Sequence, residues 1–456
     1  MEGKGFSVKE KIGYGTACVG DTAIYNLLII YGMFFLTDIV KLDPVIAGNI
    51  TLIATLWNAV SVGLVGYVSD HLPLKGGKRL PYMKVSILPM AITLVMFFTV
   101  IGGGTFALAV YYTVIMALLM TFHSSFMVPY EALGADLTMD GESRMALRSY
   151  ARFFMGIGNL VGVVFLLPAV EQCENAGLSQ TRAWQVVIGA IAVIGMISQI
   201  TTCTIFRDAK SRGKKEIKEE KTLKLFHEYR DLLRLKPMLM LLSVTILVNV
   251  ANIFCNSSIA YFMKYNLGIT ENSKAFVMGI MTVAGIVMTP ILAGTSKRYD
   301  KKKVMIVCYI MTGAMFLFFG VVSMGSVAVL CIYIFIFTIA TSAYWQLIYG
   351  MLYDISEFDE LENNRRREAL ILSLSKVILK VSNAFATQML GIVLFLFKYD
   401  QNSSVQLPET LTGIQICLTF IPGVLFLAAA VVVIKYPISE KYHGEIVNKL
   451  EERKNH

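Results

Sequence analysis

The chain has 456 residues, 55% of them hydrophobic and 16% charged, with a formal net charge of +9. Its mean hydropathy is +0.62. A soluble globular protein is about 45–50% apolar and about 25% charged, so this composition excludes an ordinary soluble enzyme or binding domain. Apolar runs longer than about 18 residues recur along almost the whole length, the pattern of a polytopic helical membrane protein. The short alternating segments of an outer-membrane barrel are absent.

In chain order, the opening MEGKGFSVKEKIGYG is polar and runs into an apolar span too long for a cleavable signal peptide. Twelve transmembrane helices follow, read at 14–38, 46–70, 82–102, 105–130, 149–170, 182–206, 237–264, 273–295, 302–322, 326–352, 369–398 and 410–435. GGG at 102–104 and SMGS at 323–326 mark tight turns. Of the seven cysteines, only Cys173 falls in a loop expected to be external. No CxxC pair or Cys/His ligand spacing occurs, so no disulfide framework, metal site or cofactor is expected.

Alternate loops differ strongly in positive charge. Lys75, Lys78, Arg79 and Lys84 follow helix 2, SKRYDKKKV follows helix 8 with five, and Arg365, Arg366 and Arg367 follow helix 10. The segment 207–236 adds about eleven, whereas the opposite loops hold only Lys41, Arg182, Lys264 and Lys398. The positive-inside rule then places both termini and the central segment in the cytoplasm. Because the basic residues are dispersed over many loops, the net charge reflects topology and nucleic acid is not an expected partner.

The basic segment divides the chain into an N-terminal bundle at 1–206, a linker at 207–236, a C-terminal bundle at 237–435 and a tail at 436–456. The linker reads equally as an amphipathic helix on the membrane surface or as a solvated tether. GYVSDHLPLKGGKRLPYMK after helix 2 echoes AGTSKRYDKKKVMIV after helix 8, each with a glycine, a charged helix end and a basic turn. Topology explains the basic turn but not the placement of glycine and aspartate. Parallel six-helix repeats are the architecture of major facilitator transporters. The expected fold is therefore an all-α polytopic membrane protein, with twelve helices in two six-helix bundles.

An ionisable group at a span centre costs about 2.5–3.5 kcal/mol on insertion scales, so it faces a cavity or a partner. Asp21 on helix 1, Glu131 at the end of helix 4, Arg152 on helix 5, and Lys376 and Lys380 on helix 11 all meet that description. The two lysines, four apart, project from one helix face. Asn249, Asn252 and Asn256 share one side of helix 7, and Trp57, Asn58, His123, Tyr130, Tyr344 and Trp345 add aromatic and hydrogen-bonding groups. Charges beside flat aromatic faces suit a polyhydroxylated ligand; the plainer reading is that these groups tie helices together. Arg144 in the first half, with Asp354 and Glu357 in the second, reads as an inter-half latch or as solvated surface charge. No Ser/His/Asp set or phosphate-cradling glycine loop is present, so an enzyme is not expected.

VPYEALGADLTMDGESRMALRSYARFF and YGMLYDISEFDELENNRRREALILSLSKVILKVSNAFA resemble the helix 4–5 and helix 10–11 signatures of the glycoside–pentoside–hexuronide:cation symporters. The opening YGTACVGDTAIYNLLIIYGMFFLTDIVKLDP and LWNAVSVGLVGYVSD also fit that family. The resemblance implies that Arg152, Trp345 and Lys380 match sugar-cavity residues, and that Arg144, Asp354, Glu357 and Arg366 match a cytoplasmic ionic lock. Glu131 takes the place of a cavity tryptophan, and Thr22 that of a helix 1 sugar-binding aspartate, with Asp21 adjacent. Asn58 and Val62 replace two sodium-binding carboxylates, and Met127 replaces a sugar-binding aspartate, so the sodium site looks dismantled. Asn58, Ser61 and Ser124 remain as candidate cation ligands.

The expected function is secondary active import of a sugar or glycoside across the inner membrane by a monomer, driven by protons rather than sodium. Asp21, Glu131 or His123 would carry the proton. The expected substrate site is Asp21, Thr22, Glu131, Arg152, Trp345, Lys376 and Lys380. The rival readings are an uncoupled facilitator and a carrier of a hexuronate or a lysolipid.

Overall fold

A computed structural model describes residues 6–71, 79–137, 141–207, 228–322, 324–363, 365, 367–403 and 405–455. Among them, twelve helices are long and apolar enough to cross a membrane. They are α1 (Val8–Ile39), α2 (Pro44–Ser69), α3 (Leu80–Phe97), α4 (Thr105–Gly134), α5 (Leu147–Asn175) and α6 (Gln180–Ile205). The second six are α7 (Lys236–Asn266), α8 (Glu271–Ser296), α9 (Lys301–Val321), α10 (Val327–Asn363), α11 (Leu370–Leu396) and α12 (Pro408–Lys435). A polar helix, α13 (Glu440–Asn455), follows. Most of the linker, 208–227, lies outside the described residues.

All twelve expected spans are present, and the differences have local causes. The first helix begins early because Ser7 and Glu10 cap it reciprocally, with Ser7 N donating to Glu10 Oε2 at 2.8 Å and Glu10 N to Ser7 Oγ at 3.3 Å. Helix α10 runs on to Asn363 because its acidic end, DISEFDELEN, finds cationic partners. Cys173, expected in a loop, instead lies in the last turns of α5, ahead of the Gly177 turn. Both α1 and α7 close with one π-helical turn, Phe35–Ile39 and Phe262–Asn266, a structural echo between the first helices of the two halves. A third π turn, Leu160–Val164, interrupts α5, and such turns mark functional segments more often than chance.

By contacts the chain forms two compact units. Unit 1 gathers Met1–Glu216 with Gly268–Thr282 and Thr387–Leu407, so the first turns of α8 and the end of α11 belong with the first six helices. Its centre is α1, which packs on α5 and α6, while α4 packs on α2 and α3. Gly158 and Gly162 of α5 bring that helix against α1: a Cβ at either position would collide with the backbone of Val19 or Ala23. At the basic-loop end of this unit Tyr14 stacks on Tyr130 with ring centroids 4.6 Å apart. At the other end Trp184 stacks on Phe98 at 5.9 Å, beside Phe35 and Phe97.

Unit 2 comprises Ile217–Leu267, Val283–Ala386 and Pro408–His456. Within it α12 packs on α7 and α9, and α10 packs on α7 and α9. An aromatic core of Tyr309, Phe316, Tyr333, Phe337 and Phe426 fills the centre. The Tyr333 hydroxyl donates to the Leu418 carbonyl, where α12 breaks between its two helical pieces. A buried Tyr hydroxyl in an apolar helix needs such a partner.

Candidate functional site

In unit 1 one face of α1 is polar through Asp21, Thr22, Tyr25 and Asn26. Asp21 is buried and its Oδ1 lies 2.6 Å from His123 Nε2 of α4, an ion-pair distance. The contact lacks hydrogen-bond angles, and neither atom has another hydrogen-bond partner. The Tyr25 ring stacks on the imidazole at 5.6 Å and 20°. Next to Tyr25, Asn26 Nδ2 donates to Asn159 Oδ1 of α5 at 2.9 Å, and Asn159 Nδ2 donates to Thr282 Oγ1 of α8 at 2.6 Å. Thr282 Oγ1 in turn donates to the Met278 carbonyl at 3.1 Å. The result is a directional ladder across three helices with each named donor satisfied.

Glu131 and Arg152 are exposed. His123 and Glu131 fall on one stripe of α4, eight residues apart. Thr22 is half-buried, with its Cβ against Gly158. Exposed Trp57 donates from Nε1 to Thr121 Oγ1 at 2.8 Å.

The three candidate cation ligands meet on the α2–α4 face. Ser124 Oγ donates to Asn58 Oδ1 at 2.8 Å, Ser61 Oγ to the Asn58 carbonyl at 3.0 Å, and the two hydroxyls are 3.4 Å apart. The triad is neutral, buried and already hydrogen-bonded within itself. Among the described residues no group of three or more His, Cys, Asp or Glu side chains is placed to hold a metal ion.

Unit 2 carries a second polar face. On α11, exposed Lys376, half-buried Lys380 and Asn383 follow one helical stripe. Asn249 of α7 donates to Asn383 Oδ1, and to the Leu379 carbonyl at 3.2 Å. Thr341 of α10 donates to Asn252 Oδ1 at 3.3 Å, and one turn on stands Trp345, exposed and edge-on to Tyr344 at 5.2 Å. Thus Trp345, Lys376 and Lys380 lie on α10 and α11 of one unit, each of which hydrogen-bonds to α7, and Asp21, Thr22, Glu131 and Arg152 lie on α1, α4 and α5 of the other, which pack on one another.

Of the expected latch residues, the Arg144 side chain and all of Arg366 lie outside the described residues. Asp354 is held by Lys301 Nζ at 2.7 and 2.9 Å, and Glu357 by His443 Nε2 of α13 at 2.6 Å. His443 also approaches Asp354 at 3.5 Å. The ladder residues Asn26, Asn159 and Thr282 were not among the sequence candidates. Their available signal was a lone amide in each of two apolar runs, AIYNLLII and GIGNLVG.

A polytopic chain with polar faces inside its spans and no assembled reaction centre among the described residues has the build of a membrane carrier. A family model described as "MFS/sugar transport protein" matches residues 13–440. The chain belongs to that family, has its major facilitator fold, and is a multi-pass membrane transporter rather than an enzyme. It is 24% identical to the "Uncharacterized symporter YnaJ" of Bacillus subtilis, over 99% of this chain and 96% of the relative. It is 25% identical to the "Putative glycoside/cation symporter YagG" of Escherichia coli, over 95% and 93%. It is 23% identical to the "Isoprimeverose transporter" of Lactiplantibacillus pentosus, over 97% and 91%. Among solved structures it is similar to a D-xylose-proton symporter, with a TM-score of 0.69, 15% identity, and 94% and 98% of the two chains covered.

Proposed function

We propose that this protein imports a sugar or glycoside through the inner membrane by alternating access, coupled to protons rather than sodium. The observation that carries the reading is the pair of polar faces inside the spans. Asp21, Thr22, Glu131 and Arg152 stand on α1, α4 and α5, and Trp345, Lys376 and Lys380 on α10 and α11. Charges and amides bind hydroxyls as donors and acceptors, and the Trp345 indole suits the C–H face of a sugar ring. Relatives named for isoprimeverose and for glycoside/cation symport support the cargo class.

The preference for protons has a chemical basis. Sodium binding needs several oxygen ligands, preferably anionic, and the Asn58–Ser61–Ser124 triad offers neutral groups engaged with one another. In this reading the sequence halves 1–206 and 237–435 rock about the cargo, joined by the linker, with both termini cytoplasmic as the basic loops require. Arg144 and Arg366 would meet Asp354 and Glu357 as the cytoplasmic latch that shuts the inner side in the outward-open state. Arg152, Lys376 and Lys380 together favour an anionic sugar as the second reading.

The test is uptake by proteoliposomes of isoprimeverose, methyl β-D-glucuronide and neutral glycosides, with a pH gradient, a sodium gradient or neither. Accumulation under an acid-outside gradient alone is expected. Equal uptake under all three conditions overturns coupling, and saturable uptake of none of the sugars overturns the cargo class.

A further inference from the structure

Resting on the transport reading above, we propose that Asp21 and His123 form a single proton-binding site that makes the switch between states depend on protonation. The two side chains come from different helices, α1 and α4, and bring Oδ1 and Nε2 to 2.6 Å with only 11% and 15% of the side chains exposed. Nothing else hydrogen-bonds either atom, and Tyr25 covers one face of the imidazole. A carboxylate and an imidazole so placed hold zero, one or two protons, with net charges of minus one, zero and plus one. Net charge buried inside a span is costly, and a neutral pair far less so. The singly protonated pair is therefore the form in which the site is most readily carried through a buried state. A cargo-loaded carrier without the proton is thereby held back, which is what symport requires, while the cargo-free, unprotonated carrier must still return for the cycle to close.

The neighbouring charges leave this balance to the pair. On α1 the nearby titratable groups are Tyr14, Cys18 and Tyr25; α4 adds Tyr130 and Glu131; α5 adds Arg148 and Arg152. Among the described side chains, α2 brings Tyr67, α3 brings Tyr82 and Lys84, and α6 brings Cys203 and, at its far end, Arg182. Glu131 is the nearby carboxylate of the same sign as Asp21, and its side chain is exposed.

The pair is also mechanically connected. Tyr25, which stacks on His123, is followed directly by Asn26, the first rung of the ladder through Asn159 to Thr282 of α8. Glycines 158 and 162 hold α5 against the same stretch of α1, so a displacement of α1 at Asp21 is passed to Asn159 rather than absorbed. Protonation at one end of this face thus bears on the seat of α8 at the other.

Two measurements decide the matter. In the first, the full-length chain in detergent carries ¹⁵N-histidine, and the His123 signal, one of five histidines, is assigned by its loss in His123→Gln. The pH dependence of the His123 ring signals should differ between the unsubstituted chain and Asp21→Asn. A pH dependence unchanged in Asp21→Asn overturns the proposal without reference to any cargo. In the second, proteoliposomes accumulate isoprimeverose or methyl β-D-glucuronide under a one-unit acid-outside gradient, which supports at most about tenfold accumulation per proton. His123→Gln should bring that ratio to one, whatever its rate of exchange, and an undiminished ratio overturns the proposal. Should the unsubstituted chain move neither sugar, the cargo reading fails while the titration still judges the pair.

Discussion

Arg367 shows how one side chain fixes a corner of this protein. Its Nε and NH2 atoms each donate to Asp359 at 2.7 Å, in a bidentate fork, while NH1 reaches Glu228 at 2.9 Å. Asp359 is fully buried, so its charge is tolerable only with this partner. The hydrogen bonds from Arg367 to Asp359 above all, and to Glu228, hold the guanidinium well above its already high ordinary range, which keeps it charged at any pH at which the protein folds. Removing one partner of a buried pair costs about 3–5 kcal/mol, so Arg367→Ala should lower the thermal unfolding midpoint of the detergent-solubilised protein sharply. Arg367→Ala with Asp359→Ala should be the more stable of the two variants, and a double variant no better than the single one would refute the buried-charge account. Sequence alone offered three arginines in a row; that Arg367 is buried depended on the end of α10 and on Glu228, more than a hundred residues away.

At the scale of elements, α13 is the clearest case of a segment whose place was hidden in the sequence. The tail reads as a polar terminus, yet its helix packs on α10. His443 takes Glu357, Glu440 N takes Asp300 Oδ2 at 3.2 Å, and Lys302 Nζ bonds the Tyr436 carbonyl at 2.7 Å. Burial first, and the Asp354 charge second, push the Tyr436 phenol well above its ordinary range, so it stays neutral beneath this cluster. His443→Ala should free the helix: limited trypsin digestion is expected to remove the tail faster than in the unsubstituted protein. Equal digestion rates would show that apolar packing, through buried Ile446 and Leu450, suffices without the histidine. The spans were legible because a long apolar run has no soluble alternative. The length of α10 was not, since its polar end depends on partners supplied by α9, α13 and the turn before α11.

For the whole molecule, the proposed orientation makes a direct prediction. Glu362 lies at the end of α10 that leads to the arginine-rich turn, and Ser179 in the turn before α6; both are exposed. A cysteine at 362 should react with an impermeant maleimide only from the cytoplasmic side, and a cysteine at 179 only from outside. The reverse result would invert the topology. The native background is low, as five of the seven cysteines are buried. Unit 1 takes in the first turns of α8 and the end of α11, both from the second half of the sequence. No hydropathy pattern announces that grouping, because hydropathy marks where a span lies and not which helices it packs against.

The sequence by itself determined the twelve spans, the uneven charge of the loops and the presence of ionisable groups where lipid would reject them. Those properties follow from local composition and the cost of polarity in a bilayer, and need no knowledge of neighbours. Only the tertiary structure decided which polar groups meet: Asp21 with His123, Asn26 with Asn159 and Thr282, and Asn58 with two serines. Partner choice among buried polar side chains depends on helix rotation and depth to within an ångström or two, and a run of leucines, valines and glycines does not encode those by itself.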